Sequence, residues 1–459
     1  MTKKVNYKTI FGFWNNLTSG STNRKIFGSA VTVILITAFV KIVTIAKELI
    51  VAWKFGIGDA LDCFLIAYVV PAFIINVVAG SFNAALIPTY IRVREQEGKE
   101  AAQELFSGAT FCGVGVLVLT TVLLLISAPL YLPKIATGFS LEKLDLTFQL
   151  LYAIAPVIIL SGVITVWGAI LNAGERFALT SITPIITPTT SVLFLLLTNS
   201  LGAFALTGGL LCGTFLEVIV IGFALHKQGT SVVPRWYGFN NNLRHITNVY
   251  RPIIAGACLI SSAGLVDDSM AAMLAPGSVA ALSYGNKLTV LPINLAVTAL
   301  RTVVTPYFSK MIAHEDWAGV RHTLKRYLSL IFATTLPLTI FIILFSQNII
   351  KFLLEKGSFT ASDAELVSQI QACFALQIPF YIANILVVIL INSLTFNHVL
   401  VKVSIFNLAI NISLNFVFIH WMGIKGIALS TSCIYMFCFS YLLIYVIKKL
   451  PQTSKVNIS

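Results

Sequence analysis

The most informative feature of this sequence is how little charge it carries. Only 11% of its 459 residues are charged, and just 18 of them are acidic. A soluble chain needs about a quarter charged residues to cover its surface. Together with a hydrophobic content of 57%, the low charge excludes an ordinary soluble protein and indicates a surface that faces lipid.

The sequence also lacks the motifs of hydrolytic and nucleotide-driven proteins. It contains no Walker loop, HExxH, GxSxG or GxGxxG motif. Its seven cysteines form no CxxC pair, so neither a disulfide framework nor a zinc site is indicated. No loop is long enough to hold a nucleotide-binding domain. We therefore expect neither an enzyme nor an ATP-driven pump, and we expect no cofactor. If transport is coupled to an ion gradient, Na⁺ and H⁺ are the candidate coupling ions.

Long apolar segments make up most of the chain. Twelve of them reach the length of about 20 residues that a membrane-crossing helix needs. A β-barrel would instead alternate in polarity over shorter segments, so the sequence predicts an all-α polytopic membrane protein with about twelve transmembrane helices. The segments lie near 28–54, 62–91, 105–132, 146–172, 179–198, 203–225, 250–273, 279–308, 327–347, 366–395, 401–420 and 425–447.

The basic residues set the predicted orientation. The formal net charge is +13, but Lys and Arg are scattered between apolar segments and form no block that would indicate nucleic-acid binding. Of the 31 basic residues, 21 fall on one side of the predicted membrane and six on the other. Because cytoplasmic loops carry an excess of Lys and Arg, both termini are predicted to be cytoplasmic.

The chain also divides into two similar halves. Six spans at 28–225 and six at 251–447 form two predicted six-helix lobes, joined by a basic linker at 226–250, with cytoplasmic tails at 1–27 and 448–459. Both halves start on the same side, so the repeat is parallel, and such proteins bind their substrate between the lobes. The linker is basic and aromatic, and it contains no acidic residue. It therefore suits the surface of an anionic membrane.

Charged residues inside the apolar spans are the first candidates for function, because charge at bilayer depth is costly. Lys41, Lys47 and Glu48 lie in the first span, and Lys287 and Arg301 lie in the eighth. Cations in the early spans of both halves would line a central cavity that binds a phosphate or diphosphate headgroup. The alternative is structural, with Lys41 or Lys47 paired to Glu48 to hold neighbouring helices in register.

A second candidate is a polar stripe near the C-terminus. Asn407, Asn411 and Asn415 follow each other at intervals of four residues, and Asp267 and Asp268 lie in the middle of the seventh span. The commoner role of such residues is hydrogen bonding between helices. The alternative is a site for a monovalent cation, formed by Asp267 with one or two asparagines, since carboxylate and amide oxygens suit a hard ion. Asn407 and Asn411 are the predicted partners.

Four stretches together resemble the lipid II flippase family (MurJ/MviN) of the multidrug/oligosaccharidyl-lipid/polysaccharide exporter (MOP) superfamily. They are "AKELIVAWKFGIGDALDCFLIAYVVP" (46–71), "GAILNAGERFALTSITP" (168–184), "YRPIIAGACLISSAGLVDDSMAAMLAPGSVAALSYGNKLTVLP" (250–292) and "KGSFTASDAELVSQIQACFALQIPFY" (356–381). The resemblance implies two lobes that give alternating access to a central cavity. It also implies transport of an undecaprenyl-diphosphate-linked saccharide across the bacterial cytoplasmic membrane.

The resemblance also implies roles for individual residues. The family's cavity arginines fall on Lys41, Lys47 and Lys287, and its conserved second-span aspartate falls on Asp62. The Lys47–Glu48 pair matches an Arg-Asp pair, and second-span arginines fall on Ile75 or Asn76. This chain departs from the family in using lysine, which lacks the planar fork that binds phosphate through two hydrogen bonds. It also has twelve predicted spans where the family commonly has fourteen.

These observations rank the possible functions by how well they fit the sequence. A flippase for lipid II, the peptidoglycan precursor, comes first, followed by a flippase for a capsule, exopolysaccharide or O-antigen repeat unit. A cation-coupled drug exporter is disfavoured by the cationic first span. A membrane scaffold is disfavoured because it would gain nothing from buried lysines. The expected partners are the lipid-linked glycan and membrane lipids, and no nucleic acid.

Overall fold

The computed structural model describes residues 22–450. Within that range the chain is helical and contains no β-strand, which confirms the all-α prediction. Eleven described helical segments are long and apolar enough to cross a membrane, and they coincide with the second to twelfth predicted spans. The predicted first span lies in the helix Thr22–Phe55, which is not one of the eleven. Most of the predicted tails, 1–27 and 448–459, lies outside the described residues.

The sixteen described α-helices are numbered in chain order. They are α1 (Thr22–Phe55), α2 (Asp59–Ile74), α3 (Gly80–Gln96), α4 (Lys99–Ile135), α5 (Leu141–Ile154), α6 (Pro156–Ala173), α7 (Phe177–Ile182), α8 (Ile186–Leu197), α9 (Ala203–Lys227), α10 (Asn241–Ala272), α11 (Ser278–Ala313), α12 (Trp317–Leu354), α13 (Ala361–Ala375), α14 (Gln377–Ser393), α15 (Asn397–Met422) and α16 (Ile424–Lys449).

The chain forms two units, each built from segments that are not consecutive in sequence. Unit 1 contains residues up to Val51, Ile74–Ala128 and Gln149–Ile254, and unit 2 contains Ala52–Phe73, Pro129–Phe148 and residues from Ala255 onward. The boundaries fall inside helices α1, α4, α5 and α10 and at the end of α2. This grouping does not test the lobes proposed at 28–225 and 251–447, which stay a prediction, and each unit is described by itself below.

In unit 1, helices α8 and α9 pack through a face of small residues. Gly209 and Gly213 are four residues apart on α9, and a Cβ at either position would collide with the backbone of α8, at Ser191 and Thr187 respectively. Glycine therefore permits the close approach, as in other membrane helix pairs. One turn further along the same face, Glu217 accepts hydrogen bonds from the hydroxyl of Thr187 at 2.6 Å and its backbone N–H at 3.3 Å.

Unit 1 also contains a π-helix, Ile75–Ala79, which joins α2 to α3. The hydroxyl of Tyr250 donates a hydrogen bond to the carbonyl of Val78 in this segment, at 3.2 Å. This contact supplies a partner to a carbonyl where the regular α-helical pattern is interrupted. Such single π turns occur often at functional sites.

The predicted linker is only partly irregular. Helix α9 ends at Lys227 and α10 begins at Asn241, so the last ten residues of the predicted linker 226–250 are helical. The side chain of Asn240 accepts a hydrogen bond from the backbone N–H of Leu243 at 2.9 Å, which satisfies a free donor at the helix start. The extended part is held to α4, where Ser107 donates a hydrogen bond to the carbonyl of Arg235.

In unit 2, helix α14 lies at the centre of the apolar core. Its residues Ile378, Leu386 and Leu390 are fully buried, and the helix packs against α11, α12 and α16. Some buried polar residues of the neighbouring helices are paired across a helix–helix contact. The hydroxyl of Ser346 on α12, for example, lies within hydrogen-bond distance of two acceptors on α13, the carbonyl of Ser368 and the side-chain oxygen of Gln371.

Candidate functional site

The charged residues of the first span behave differently from one another. Lys47 and Glu48 form an ion pair of 2.7 Å and are both partly buried. Lys41 is exposed, and no residue of the described structure forms an ion pair with it. The structural alternative therefore accounts for the Lys47–Glu48 pair but not for Lys41. An unpaired cation on an apolar helix is available to an anionic ligand.

Asp62, which the resemblance assigns to the substrate site, has a structural role in unit 2. Its side chain is 1% exposed, and its two oxygens accept hydrogen bonds from the backbone N–H groups of Gly277 at 2.7 Å and Ala280 at 2.8 Å. These donors lie at the start of α11, where free N–H groups and the helix dipole favour a negative charge. One turn before Asp62, Asp59 pairs with Lys143 at 2.5 Å. The capping contacts explain the buried charge without a ligand.

The cations of the eighth predicted span both lie on α11. Lys287 is exposed, and its ammonium is 5.5 Å from the ring centroid of Tyr284. It also attracts the carboxylate of Asp268. Arg301 is exposed, and it has no ion pair within the described residues. Fourteen residues separate the two cations, or about 21 Å along a helix, so one diphosphate cannot contact both at once.

Asn76 lies in unit 1, on the π-helix Ile75–Ala79, and its side chain is exposed. Its neighbours Val77 and Val78 are buried. The structure therefore presents one polar group at the point where the second span departs from α-helical geometry. Asn76 stays a predicted substrate-binding residue on these grounds.

Four polar residues from three helices meet in unit 2 around Asp267. One carboxylate oxygen of Asp267 accepts hydrogen bonds from the amides of Asn411 at 3.0 Å and Asn415 at 2.7 Å. The other accepts one from the hydroxyl of Thr431 at 3.3 Å. The structure thus brings Asp267 into contact with two asparagines of the stripe, Asn411 and Asn415. We call Asp267, Asn411, Asn415 and Thr431 the Asp267 cluster.

The membership of this cluster differs from the predicted one. Asn407 is not part of it, because its amide donates a hydrogen bond to the sulfur of Cys438 at 3.4 Å instead. Asn415 takes its place, and the four-residue spacing of the stripe contained the signal for it. Thr431 was missed, since nothing in the sequence indicates that α16 would bring this hydroxyl to α10.

The Asp267 cluster offers oxygen atoms of the kind that hard cations bind. The side-chain oxygen of Asn415 is buried and has no hydrogen-bond partner, although it belongs to the same amide that contacts Asp267. A carboxylate, two amides and a hydroxyl form a ligand set for a small cation with oxygen preference. The described residues contain no group of three or more His, Cys, Asp or Glu that would hold a transition metal.

Comparison with known proteins identifies relatives over nearly the whole chain. The model of the family described as lipid II flippase MurJ matches residues 51–459. A Synechocystis protein named probable lipid II flippase MurJ is 26% identical over 437 residues, which cover 91% of this chain and 81% of that relative. The family match includes Asp62, Lys287 and the Asp267 cluster. It begins after Lys41, Lys47 and Glu48.

Two solved structures share the fold. One, titled lipid II flippase MurJ in an inward closed conformation, has a TM-score of 0.79 at 23% identity and covers 92% of this chain and 88% of its own. The other is an inward-facing multidrug resistance MATE family transporter of the MOP superfamily. It has a TM-score of 0.76 at 15% identity and covers 92% of this chain and 98% of its own. At these identities the likeness concerns the fold.

Proposed function

Because this chain belongs to the lipid II flippase family MurJ, we propose that it moves lipid II across the bacterial inner membrane by alternating access, with cationic side chains holding the diphosphate. The family match over residues 51–459 is the observation that carries this proposal. The chain is a multi-pass membrane protein of a transporter family, in keeping with the eleven apolar spans among its described residues. We further propose that both termini are cytoplasmic, as the basic residues predict.

The charge of the first and eighth predicted spans supports the substrate assignment. Lys41 and Arg301 are exposed cations without an ion pair in the described structure, and Lys287 is also exposed. Hydrogen bonds between ionised partners are stronger than neutral ones, so each of these cations can stabilise a phosphate oxygen. We propose that Lys41 and Lys287 are cations that bind phosphate oxygens of the substrate. The ion pair between Lys47 and Glu48 gives Lys47 a second, structural role.

The experiment is complementation of a bacterial strain depleted of its own lipid II flippase. We expect Lys41→Gln and Lys287→Gln to abolish growth while the protein still inserts in the membrane, and Lys41→Arg and Lys287→Arg to support it, because arginine keeps the charge. Growth of both glutamine variants would exclude the diphosphate site. If the unsubstituted chain fails to complement and a strain lacking a capsule flippase is rescued instead, the substrate is the polysaccharide repeat unit.

A double substitution separates the two roles of Lys47. Lys47→Gln removes the ion pair that Lys47 forms with Glu48 and should lower thermal stability, since a partly buried carboxylate loses the attraction of a nearby opposite charge. Lys47→Gln/Glu48→Gln should restore the stability. If flipping also returns in the double variant, Lys47 acts only in structure. If flipping stays lost at normal stability, the positive charge itself serves the substrate.

We also propose that the Asp267 cluster binds the coupling cation, Na⁺ or H⁺. The contact of Asp267 with Asn411, Asn415 and Thr431 supports this. The matched test compares Asp267→Asn with Asn407→Ala, a polar residue of the same stripe that lies outside the cluster. We expect Asp267→Asn to remove the dependence of headgroup translocation on the ion gradient, and Asn407→Ala to keep it. Unchanged ion dependence in Asp267→Asn would leave interhelical hydrogen bonding as its role.

A further inference from the structure

Helix α12 of unit 2 carries one exposed stripe that is basic at its start and apolar along the rest. Lys325 and Arg326 follow His322 by about one turn, and all three side chains are exposed. Residues three or four positions apart share a helix face, and the same face continues with Ser329 and then with apolar residues. The exposed apolar members are Leu330, Ala333, Pro337, Ile340, Phe341 and Leu344.

A cavity of about 930 Å³ lies at the basic end of this stripe, between the end of α11 and the start of α12. Lys325, Arg326 and His322 line it together with hydroxyl groups, among them those of Tyr307 and Tyr327. None of the described side chains that line it is acidic, and neither Lys325 nor Arg326 forms an ion pair in the described part of the chain. Cations and hydroxyl donors therefore converge on a space that contains no carboxylate to compete for them.

We propose that this cavity binds the phosphodiester headgroup of an anionic phospholipid, whose acyl chains lie along the apolar stripe of α12. Lys325 and Arg326 supply charge-assisted hydrogen bonds to the phosphate oxygens. The apolar residues from Leu330 to Leu344 begin one turn after the cations, which is the order of groups in a phospholipid. A soluble phosphate would use only the basic end, so the continuous apolar face indicates a lipid.

The site lies at the end of the span where basic residues concentrate. Clusters of Lys and Arg beside a membrane helix attract anionic lipids, at about 1 kcal/mol for each residue. This corresponds to an affinity change of about fivefold for each cation. The binding does not depend on lipid II transport, so the site can be tested without a flipping assay.

Unit 1 provides a matched comparison. Its cavity of about 750 Å³ is also lined by cations, including Lys99 and Arg176, but Glu100 and Glu104 line it as well. Carboxylates in the lining repel a phosphate and compete for the cations. Lys99→Gln/Arg176→Gln therefore removes the same charge from the protein as Lys325→Gln/Arg326→Gln, from a site that we do not expect to prefer anionic lipid.

The experiment titrates the purified full-length protein with palmitoyl-oleoyl phosphatidylglycerol or phosphatidylcholine and counts bound lipids by native mass spectrometry. We expect the unsubstituted protein to retain phosphatidylglycerol preferentially. Lys325→Gln/Arg326→Gln should weaken that retention by about 25-fold, whereas Lys99→Gln/Arg176→Gln should change it less than about twofold. Equal losses in both double variants, or no preference in the unsubstituted protein, would overturn the proposal.

Three further arms keep the result interpretable. Leu330→Asn/Leu344→Asn should also weaken phosphatidylglycerol binding if the acyl chains use the stripe, and free glycerol phosphate should not displace the bound lipid. Displacement by glycerol phosphate at comparable concentration would mean a soluble-anion site and would overturn the lipid assignment. Lys325→Arg/Arg326→Lys keeps both charges and should retain binding, which separates loss of charge from loss of folding.

Discussion

Single charged residues in this protein fall into two groups, those with a partner in their own unit and those without. Asp62 accepts hydrogen bonds from two backbone N–H groups, and Lys47 forms an ion pair with Glu48. Lys41 and Arg301 have no ion pair within the described residues. For residues of the first group, the partner explains why a charge is tolerated in an apolar protein. A charge of the second group is costly at bilayer depth unless it serves a ligand, and this supports the assignment of Lys41 to the substrate.

The capping role of Asp62 leads to a prediction about stability. Asp62→Asn replaces one accepting oxygen by an N–H₂ group, which cannot accept a hydrogen bond from the start of α11. A buried donor that loses its partner costs about 1–3 kcal/mol, so the temperature of thermal unfolding should fall. The control is Asp59→Asn, which removes a half-exposed ion pair and should cost less than about 1 kcal/mol. Equal unfolding temperatures for the Asp62 variant and the unsubstituted protein would contradict the capping role.

At the scale of helices, close approach is decided by a few glycines. The sequence Gly209-Leu-Leu-Cys-Gly213 is a GxxxG pattern, which is a sequence signal for close helix packing in membranes. The structure shows which helix it meets, because the backbone of α8 lies against both glycines. The same face positions Glu217 beside Thr187. A larger residue on this face would therefore disturb both the packing and a buried hydrogen bond.

We predict that Gly213→Ala destabilises unit 1. Its Cβ would come 2.6 Å from the Cα of Thr187 and closer still to the hydroxyl of Thr190, and overpacking of this kind costs about 1–3 kcal/mol. Gly168→Ala in α6 is the matched control, because nothing lies within 4 Å of its Cβ. Alanine also favours a helix over glycine by up to about 1 kcal/mol. Thermal unfolding of the two variants should therefore shift in opposite directions, and a stabilised Gly213 variant would refute the packing argument.

At the scale of the whole molecule, orientation in the membrane is the property that remains to be tested. The asymmetry of 21 basic residues against six predicts that Lys134 and Lys356 face outward and that Lys99 and Lys325 face the cytoplasm. All four side chains are exposed. Single cysteines at these positions, in a variant whose seven native cysteines are replaced, should react with a membrane-impermeant thiol reagent in intact cells only at 134 and 356. Labelling at 99 or 325 instead would contradict this prediction and indicate the opposite orientation.

The sequence by itself determined the spans. Inside a membrane each backbone polar group must be paired within its own helix, so apolar length alone predicted spans such as 366–395, now seen as the segment Ala361–Ser393. The same local reasoning identified the asparagine stripe, because one helical period repeats polar residues on one face, and it identified Asp267 as a charge inside an apolar span. The resemblance to the flippase family likewise rested on short, continuous stretches.

Only the tertiary structure decided which of these groups meet. Asp62 caps α11 by accepting a hydrogen bond from Gly277, which lies 215 residues later in the chain and directly precedes that helix. Thr431 donates a hydrogen bond to Asp267, although 164 residues separate them in the chain. Asn407 of the predicted stripe donates a hydrogen bond to the sulfur of Cys438 instead. Such contacts depend on how separate helices pack, and no local pattern of hydrophobicity or charge encodes that packing. The stripe was therefore predictable, and the membership of its cluster was not.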